Sequence, residues 1–168
     1  MANLWADVRV TEITQRELQR TRQLRARRGV MTRRVYGYED SYLSTIKKLN
    51  QQRDLSSLLR LAKKIWTKHY AGNRKLPEVR FGPGTRELGY PLSYTVGYSL
   101  IELAPGQRNI LTLVHELVHA IGPSEHGTNF VRLYYQILER YLPVKTRVQV
   151  YQYLVKEHAA LMRRVYRR

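Results

Sequence analysis

Apolar positions recur at helical spacing over most of the chain and give way to short alternating runs in its middle. Leu58, Leu59, Ala62, Ile65 and Trp66 predict a helix over 55–70, with Asp54 as its cap and Gly72 beyond its end. Tyr42, Ile46 and Leu49 predict another over 36–51. Upstream, Thr14-Gln-Arg-Glu17 is a capping box that starts a helix near Gln15, expected to run to Arg28 and stop at Gly29. Its apolar content is only Leu18, Leu24 and Ala26, which suits an arm lying on something else. Between Leu76 and Leu103 the chain is rich in Gly and Pro. There Glu78-Val-Arg-Phe81 and the run from Tyr94 to Leu103 predict two or three short strands. Helices follow over 108–121, stopped by Gly122-Pro123, over 128–141, ending before Pro143, and over 145–166. The order helices, small sheet, helices predicts an α+β domain, mostly helical, with a small antiparallel or mixed sheet.

The helix over 108–121 departs from ordinary amphipathicity. On a wheel, Arg108, Thr112, His115, Glu116 and His119 share one sector, while every other position from Ile110 to Ile121 is Ile, Leu, Val or Ala. Three ionisable groups on an otherwise buried helix are costly unless something compensates them. His115-Glu-Leu-Val-His119 is the zinc-hydrolase helix motif. At i and i+4 the two imidazoles lie one turn apart on one face and can share a metal ion, while Glu116, about 100° round the axis, flanks it. From there Glu116 can take a proton from a metal-activated water and serve as the catalytic acid/base. For a third ligand the residues offer His126, just after the helix break and before Gly127, Glu139 on the following helix, and Glu125. His69 and His158 read as surface or packing residues. Tyr134, Tyr135, Tyr151 and Tyr153 read as helix packing, whereas Tyr90, Tyr94 and Tyr98 precede the motif helix and are candidates to stabilise an oxyanion or stack a base.

Composition narrows the chemistry. The 168 residues contain no cysteine, which excludes disulfides, thiol catalysis and zinc ribbons, so any metal is held by His and carboxylates. No apolar run reaches the ~18 residues of a transmembrane helix and the first ten lack a secretory h-region, so a cytoplasmic protein is expected, in a host cell or a virion if phage-encoded, with no membrane partner. The formal charge is +17, from 22 Arg and 8 Lys against 13 acids. It is concentrated at the ends: nine Arg in the first 35 residues against Asp7, Glu12 and Glu17, and four in the last six. The 17 cations and 10 acids between them leave a milder +7. Such ends predict binding to DNA, RNA or another polyanion through phosphates, by Arg16, Arg20, Arg22, Arg25, Arg27, Arg28, Arg33, Arg34, Arg163, Arg164, Arg167 and Arg168. The organisation expected is a basic arm over 1–32, a catalytic domain over 33–162 and a basic tail over 163–168.

The stretch Ile101-Glu-Leu-Ala-Pro-Gly-Gln-Arg-Asn-Ile-Leu-Thr-Leu-Val-His-Glu-Leu-Val-His-Ala-Ile-Gly122 resembles the strand–turn–helix entry to the site of SprT-like zinc metallopeptidases. His126-Gly-Thr-Asn-Phe130 resembles their later His-Gly-x-x-Phe or Trp element. Arg34-Val-Tyr-Gly-Tyr-Glu39 is similar to the opening of a small group of metallohydrolases from actinobacteria and their phages. The resemblance covers roughly residues 33–162 and is specific over 101–130. It implies a minimal zincin fold, Zn2+ held by His115, His119 and His126, Glu116 as acid/base, and a protein or peptide substrate whose backbone pairs with an edge strand, here sought in residues 94–103. Members that act on DNA-bound proteins often add a zinc ribbon, which a chain without cysteine lacks; the arginine-rich ends would take that part. The alternative expectation is a structural component of a nucleic-acid-rich particle, a phage virion or ribonucleoprotein, that keeps a zincin fold.

Overall fold

The computed structural model describes residues 29–84, 93–96, 98–123 and 125–166. The helix expected over 15–28 lies outside them. Residues 29–41 are helical (α1), so Gly29 does not end a helix as expected. After a single 3-10 turn, Leu43–Thr45, come α2 (Lys47–Asn50) and α3 (Leu55–His69), then strands β1 (Glu78–Phe81), β2 (Tyr94–Val96) and β3 (Leu100–Leu103). The chain continues through α4 (Ile110–Ile121), α5 (Thr128–Leu138) and α6 (Val144–Tyr151), a π-helical stretch Gln152–Glu157, and α7 (His158–Tyr166). The architecture is α+β, mostly helical, with a small mixed sheet.

The helix expected over 36–51 is broken at residues 42–46, and hydroxyls explain the break. The side chains of Ser41, Ser44 and Thr45 donate to the carbonyls of Gly37, Asp40 and Tyr42, each at 2.6 Å, competing with helical amides for those acceptors. Ile46 is then extended, with φ −80° and ψ 96°. Capping sets the other starts. The Asp54 carboxylate accepts from the Ser57 amide at 2.8 Å, as the sequence predicts for α3. Asn109 accepts from the Thr112 amide at 2.9 Å, which starts α4 at Ile110 and leaves Arg108 in the preceding loop, over the Phe81 ring.

The sheet runs β1-β3-β2, with β1 parallel and β2 antiparallel to β3. Residues 94–103 are therefore not one edge strand. They fold back on themselves and β3 is paired on both sides, so of these residues only Tyr94–Val96 (β2) lie at a margin of the sheet, β1 forming the other. Buried Glu102 of β3 faces Arg80 across the parallel pair and accepts both of its donating nitrogens at 2.9–3.0 Å, while its other oxygen accepts the Gly84 amide. From β3 the chain turns tightly at Ala104-Pro-Gly-Gln107. Pro105 and Gly106 (φ +80°) occupy the corner positions of a type II turn closed by the Gln107 amide on the Ala104 carbonyl, 3.0 Å.

That turn feeds α4 into the centre of the molecule, where it packs against α3, α5, β2 and β3. Leu113, Val114, Leu117 and Val118 of α4 are fully buried, as are Leu58 and Ala62 of α3 and Phe130, Tyr134 and Leu138 of α5. The C-terminal helices close over α5. No helix among the described residues is long and apolar enough to cross a membrane.

Truncating Leu58, fully buried on α3 and remote in sequence from the histidines, tests this packing. Leu58→Ala should cost ~2–5 kcal/mol of stability in urea unfolding, with metal stoichiometry unchanged in the folded fraction. A loss well under ~1 kcal/mol would mean that α3 does not pack on the core as described.

Candidate metal centre

Because α4 is continuous across the motif, His115 and His119 stand one turn apart, with their Nε2 atoms 3.2 Å from each other. α4 ends at Gly122, and the short loop before α5 brings His126 back so that its Nε2 lies 3.0 Å from that of His115. Among the described residues these three histidines form a group whose ligand atoms all lie within 4.8 Å of one another and could hold a metal ion.

The tautomers follow from the other ring nitrogens. His115 Nδ1 lies 2.7 Å from the Glu39 carboxylate and His119 Nδ1 3.0 Å from the Pro123 carbonyl. Both partners only accept, so both Nδ1 atoms carry the proton. With both rings neutral, as metal ligation requires, the Nε2 atoms of His115 and His119 face each other with lone pairs and neither can donate to the other. A shared cation satisfies them. Four-coordinate metal–imidazole bonds of ~2.0–2.1 Å place ligand nitrogens ~3.3 Å apart, close to the spacings here. His126 Nδ1 approaches the Thr32 hydroxyl at 3.4 Å.

Electrostatics keep two of the ligands neutral. Burial, reinforced by the other histidines, holds His119 down at about 4 and His126 at about 3, so both offer lone pairs at neutral pH. At His115 burial also opposes the charged form, but the Glu39 carboxylate outweighs it and raises the pKa. Glu116 is 7% exposed. Burial raises its pKa against the opposing pull of His115 and of Thr95, whose hydroxyl lies 2.6 Å from its Oε2. The carboxylate is thus desolvated and held from the marginal strand β2, on the same turn of α4 as His115.

Sequence reasoning missed the support around this cluster. Thr32, Tyr36 and Glu39, at i, i+4 and i+7, form one face of α1 turned to the histidines. Tyr36 stacks on His115 with ring centroids 5.2 Å apart and lies 5.1 Å from His126. Glu39, itself buried, also accepts from the Tyr134 hydroxyl at 2.5 Å, so Tyr134 does more than pack. A signal was present: Glu39 sits four residues after buried Val35, an acid on the apolar side of its helix. His158, read as a packing residue, is buried as expected, but its ring is also hydrogen-bonded to the backbone of His126, and burial lowers its pKa to about 4. His69 is half-buried and lowered by burial.

Other expected site residues lie elsewhere. Glu139 caps the end of α5, near Tyr135, and Glu125 is exposed in the loop. Neither joins the group of ligand atoms. Arg33 and Arg163 are exposed. Arg34 is ion-paired with Glu157 at 2.9 Å and lies over the Tyr153 ring, so it is held against the π-helical stretch that precedes α7. Arg16, Arg20, Arg22, Arg25, Arg27, Arg28, Arg167 and Arg168, the Arg164 side chain and Tyr90 lie outside the described residues. Tyr94 is half-buried, and Tyr98 is exposed under the Arg74 guanidinium.

Two measurements follow. His126→Ala should abolish stoichiometric metal binding while Glu139→Ala retains it; the reverse outcome would move the third ligand to α5. Glu39→Gln should keep the fold and weaken metal affinity ~10- to 100-fold in a chelator competition, because the carboxylate fixes the His115 ring. Unchanged affinity would reduce Glu39 to a packing residue.

No protein-family model, no curated protein and no solved structure matches this chain.

Proposed function

We propose that this chain is a zinc-dependent metallopeptidase of the SprT-like kind, built on a minimal zincin fold. The observation that carries the reading is the convergence of three imidazole Nε2 positions beside a buried carboxylate on the same helix turn. Three neutral imidazoles without a thiolate make a ligand set that leaves a coordination position open, as hydrolytic rather than structural zinc sites do. When bound, zinc supplies Lewis acidity toward the scissile carbonyl and toward a water.

The remaining work falls to the chain's own side chains. Glu116, raised by burial, accepts the proton of the attacking water and returns it to the leaving amine. Thr95 holds Glu116 Oε2, fixing which carboxylate oxygen is left to receive that proton. β2, at the sheet margin and carrying Thr95, offers backbone groups with which an extended substrate can pair. Glu39 and the Pro123 carbonyl orient His115 and His119. Tyr36, 45% exposed and stacked on His115, walls the site on the side of α1.

The arginine-rich ends support nucleic acid as a guide or scaffold for the substrate, met through phosphates without base preference. The arm is shorter than its charge pattern suggests: Met31 is buried and Thr32 meets His126, so residues 29–32 belong to the folded domain.

Glu116→Gln should retain metal and fold and lose ~10²- to 10⁴-fold in peptide hydrolysis. A metal-replete Glu116→Gln protein as active as wild type would refute the mechanism. A wild-type protein inactive on many substrates, with nucleic acid present, would favour the structural particle component instead. For the ends, binding to labelled DNA or RNA should weaken by roughly 10³ to 10⁵ between 50 and 200 mM salt if six to ten phosphates are neutralised. Removing residues 1–28 should flatten that slope without loss of metal. An identical slope in the truncated protein would show that the arm does not carry the binding.

A further inference from the structure

At the far end of α4 from His119, ~13 Å along the helix axis, a cleft of about 320 Å³ opens between α2, α3, α4 and the segment after α5. Lys48, Arg53 and Arg140 reach it from three different elements. Among the described residues no carboxylate lies within ion-pair distance of any of the three. The nearby acids are otherwise engaged: Asp54 is taken up by Ser56 and Ser57, and Glu139 sits beside Tyr135. Arg53 Nε is shielded from solvent and meets no acceptor among the described residues.

The wall that carries Arg53 is fixed rather than loose. The Arg53 amide donates to the Arg108 carbonyl at 2.8 Å, Gln52 donates to the Gly106 carbonyl at 2.7 Å, and Asn109 donates to Asn50 at 3.1 Å. Ile110, the first residue of α4, lines the same cleft, so the positive end of a twelve-residue helix adds to the field. Converging, uncompensated cations on a braced wall call for an anion. The space exceeds one phosphate, and it is partly walled by the half-buried ring of Tyr141, a surface on which a flat apolar body can stack.

We propose that this cleft binds one nucleotide unit of a single-stranded nucleic acid, its phosphate held by Lys48, Arg53 and Arg140 and its base against Tyr141. Its lining residues belong neither to the arginine-rich ends of the sequence nor to the histidine cluster. It fixes where a strand would run relative to the metal centre. The site needs no metal, so its test and that of the peptidase reading fail independently.

The test is equilibrium dialysis of the full chain, zinc-loaded and chelator-stripped, with deoxyadenosine 5′-monophosphate, deoxyadenosine, inorganic phosphate, a six-residue deoxyadenylate strand and hexaglutamate. The monophosphate should bind saturably with or without zinc and more tightly than phosphate, and the nucleoside should not. Arg53→Gln and Arg140→Gln should each weaken the monophosphate roughly tenfold. Lys48→Gln, at an exposed position of α2, serves if a variant fails to fold. Monophosphate affinity indifferent to these substitutions would overturn the proposal, as would no saturable binding. Phosphate binding as tightly as the monophosphate would remove the base from the site. Hexaglutamate bound as tightly as the strand, and equally sensitive to both arginines, would reassign the cleft to an acidic peptide.

Discussion

The carboxylate of Glu39 holds three parts of this molecule in one place. It accepts from His115 on α4 and from Tyr134 on α5, and it is itself carried by α1, more than seventy residues upstream of either. A buried carboxylate without partners would cost several kcal/mol; with two donors it becomes a junction whose geometry is fixed. Everything that makes the site usable depends on it. It sets the His115 tautomer, and through that the direction in which the Nε2 lone pair points. It brings the Tyr36 and Thr32 positions of α1 against His115 and His126. Without it, α4 would carry a motif but no cavity with a defined wall.

α4 itself has two duties that conflict. It is the centre of the hydrophobic core and it carries three ionisable side chains. The conflict is resolved by angular separation: Leu113, Val114, Leu117 and Val118 face the other helices and the sheet, while His115, Glu116 and His119 share one sector that α1, β2 and the 122–127 loop cover. The type II turn at Pro105-Gly106 and the Asn109 cap fix where α4 starts, and so which residues fall in that sector. A shift of one residue at the start would rotate the stripe by about 100° into the core.

How much of this the sequence disclosed follows from how far each signal reaches. The i, i+4 histidines, the glutamate between them and the helix that bears them are local features, and periodicity alone identifies them. The Asp54 cap and the strand at Glu78–Phe81 were legible for the same reason. His126 over Glu139 was decided by the path of a short loop, for which spacing offers only a preference. Glu39, Tyr36, Thr95 and His158 act through contacts spanning 21 to 95 positions, or through a backbone bond, and no local pattern encodes such pairings. The break between α1 and α2 was misread because side-chain hydroxyls, not apolar spacing, end that helix. The edge strand was misplaced because a tight reversal after Val96 hides inside a continuous run of strand-forming residues.

The charge balance of the site ties these observations together. Two carboxylates, Glu39 and Glu116, are each 7% exposed within the surroundings of three histidines, two of which burial keeps neutral. Burial raises the pKa of Glu116, while at His115 the negative charge of Glu39 overcomes burial and raises it, so protons are held more tightly at both groups. A divalent cation on three neutral imidazoles cancels two carboxylates and leaves the region near neutrality. A metal held there would link its binding to folding, because the three histidines come from α4 and the following loop while their supports come from α1, α5 and β2. Binding at the histidines would therefore stabilise packing between elements that are far apart in the chain, so that the site and the core would hold each other together.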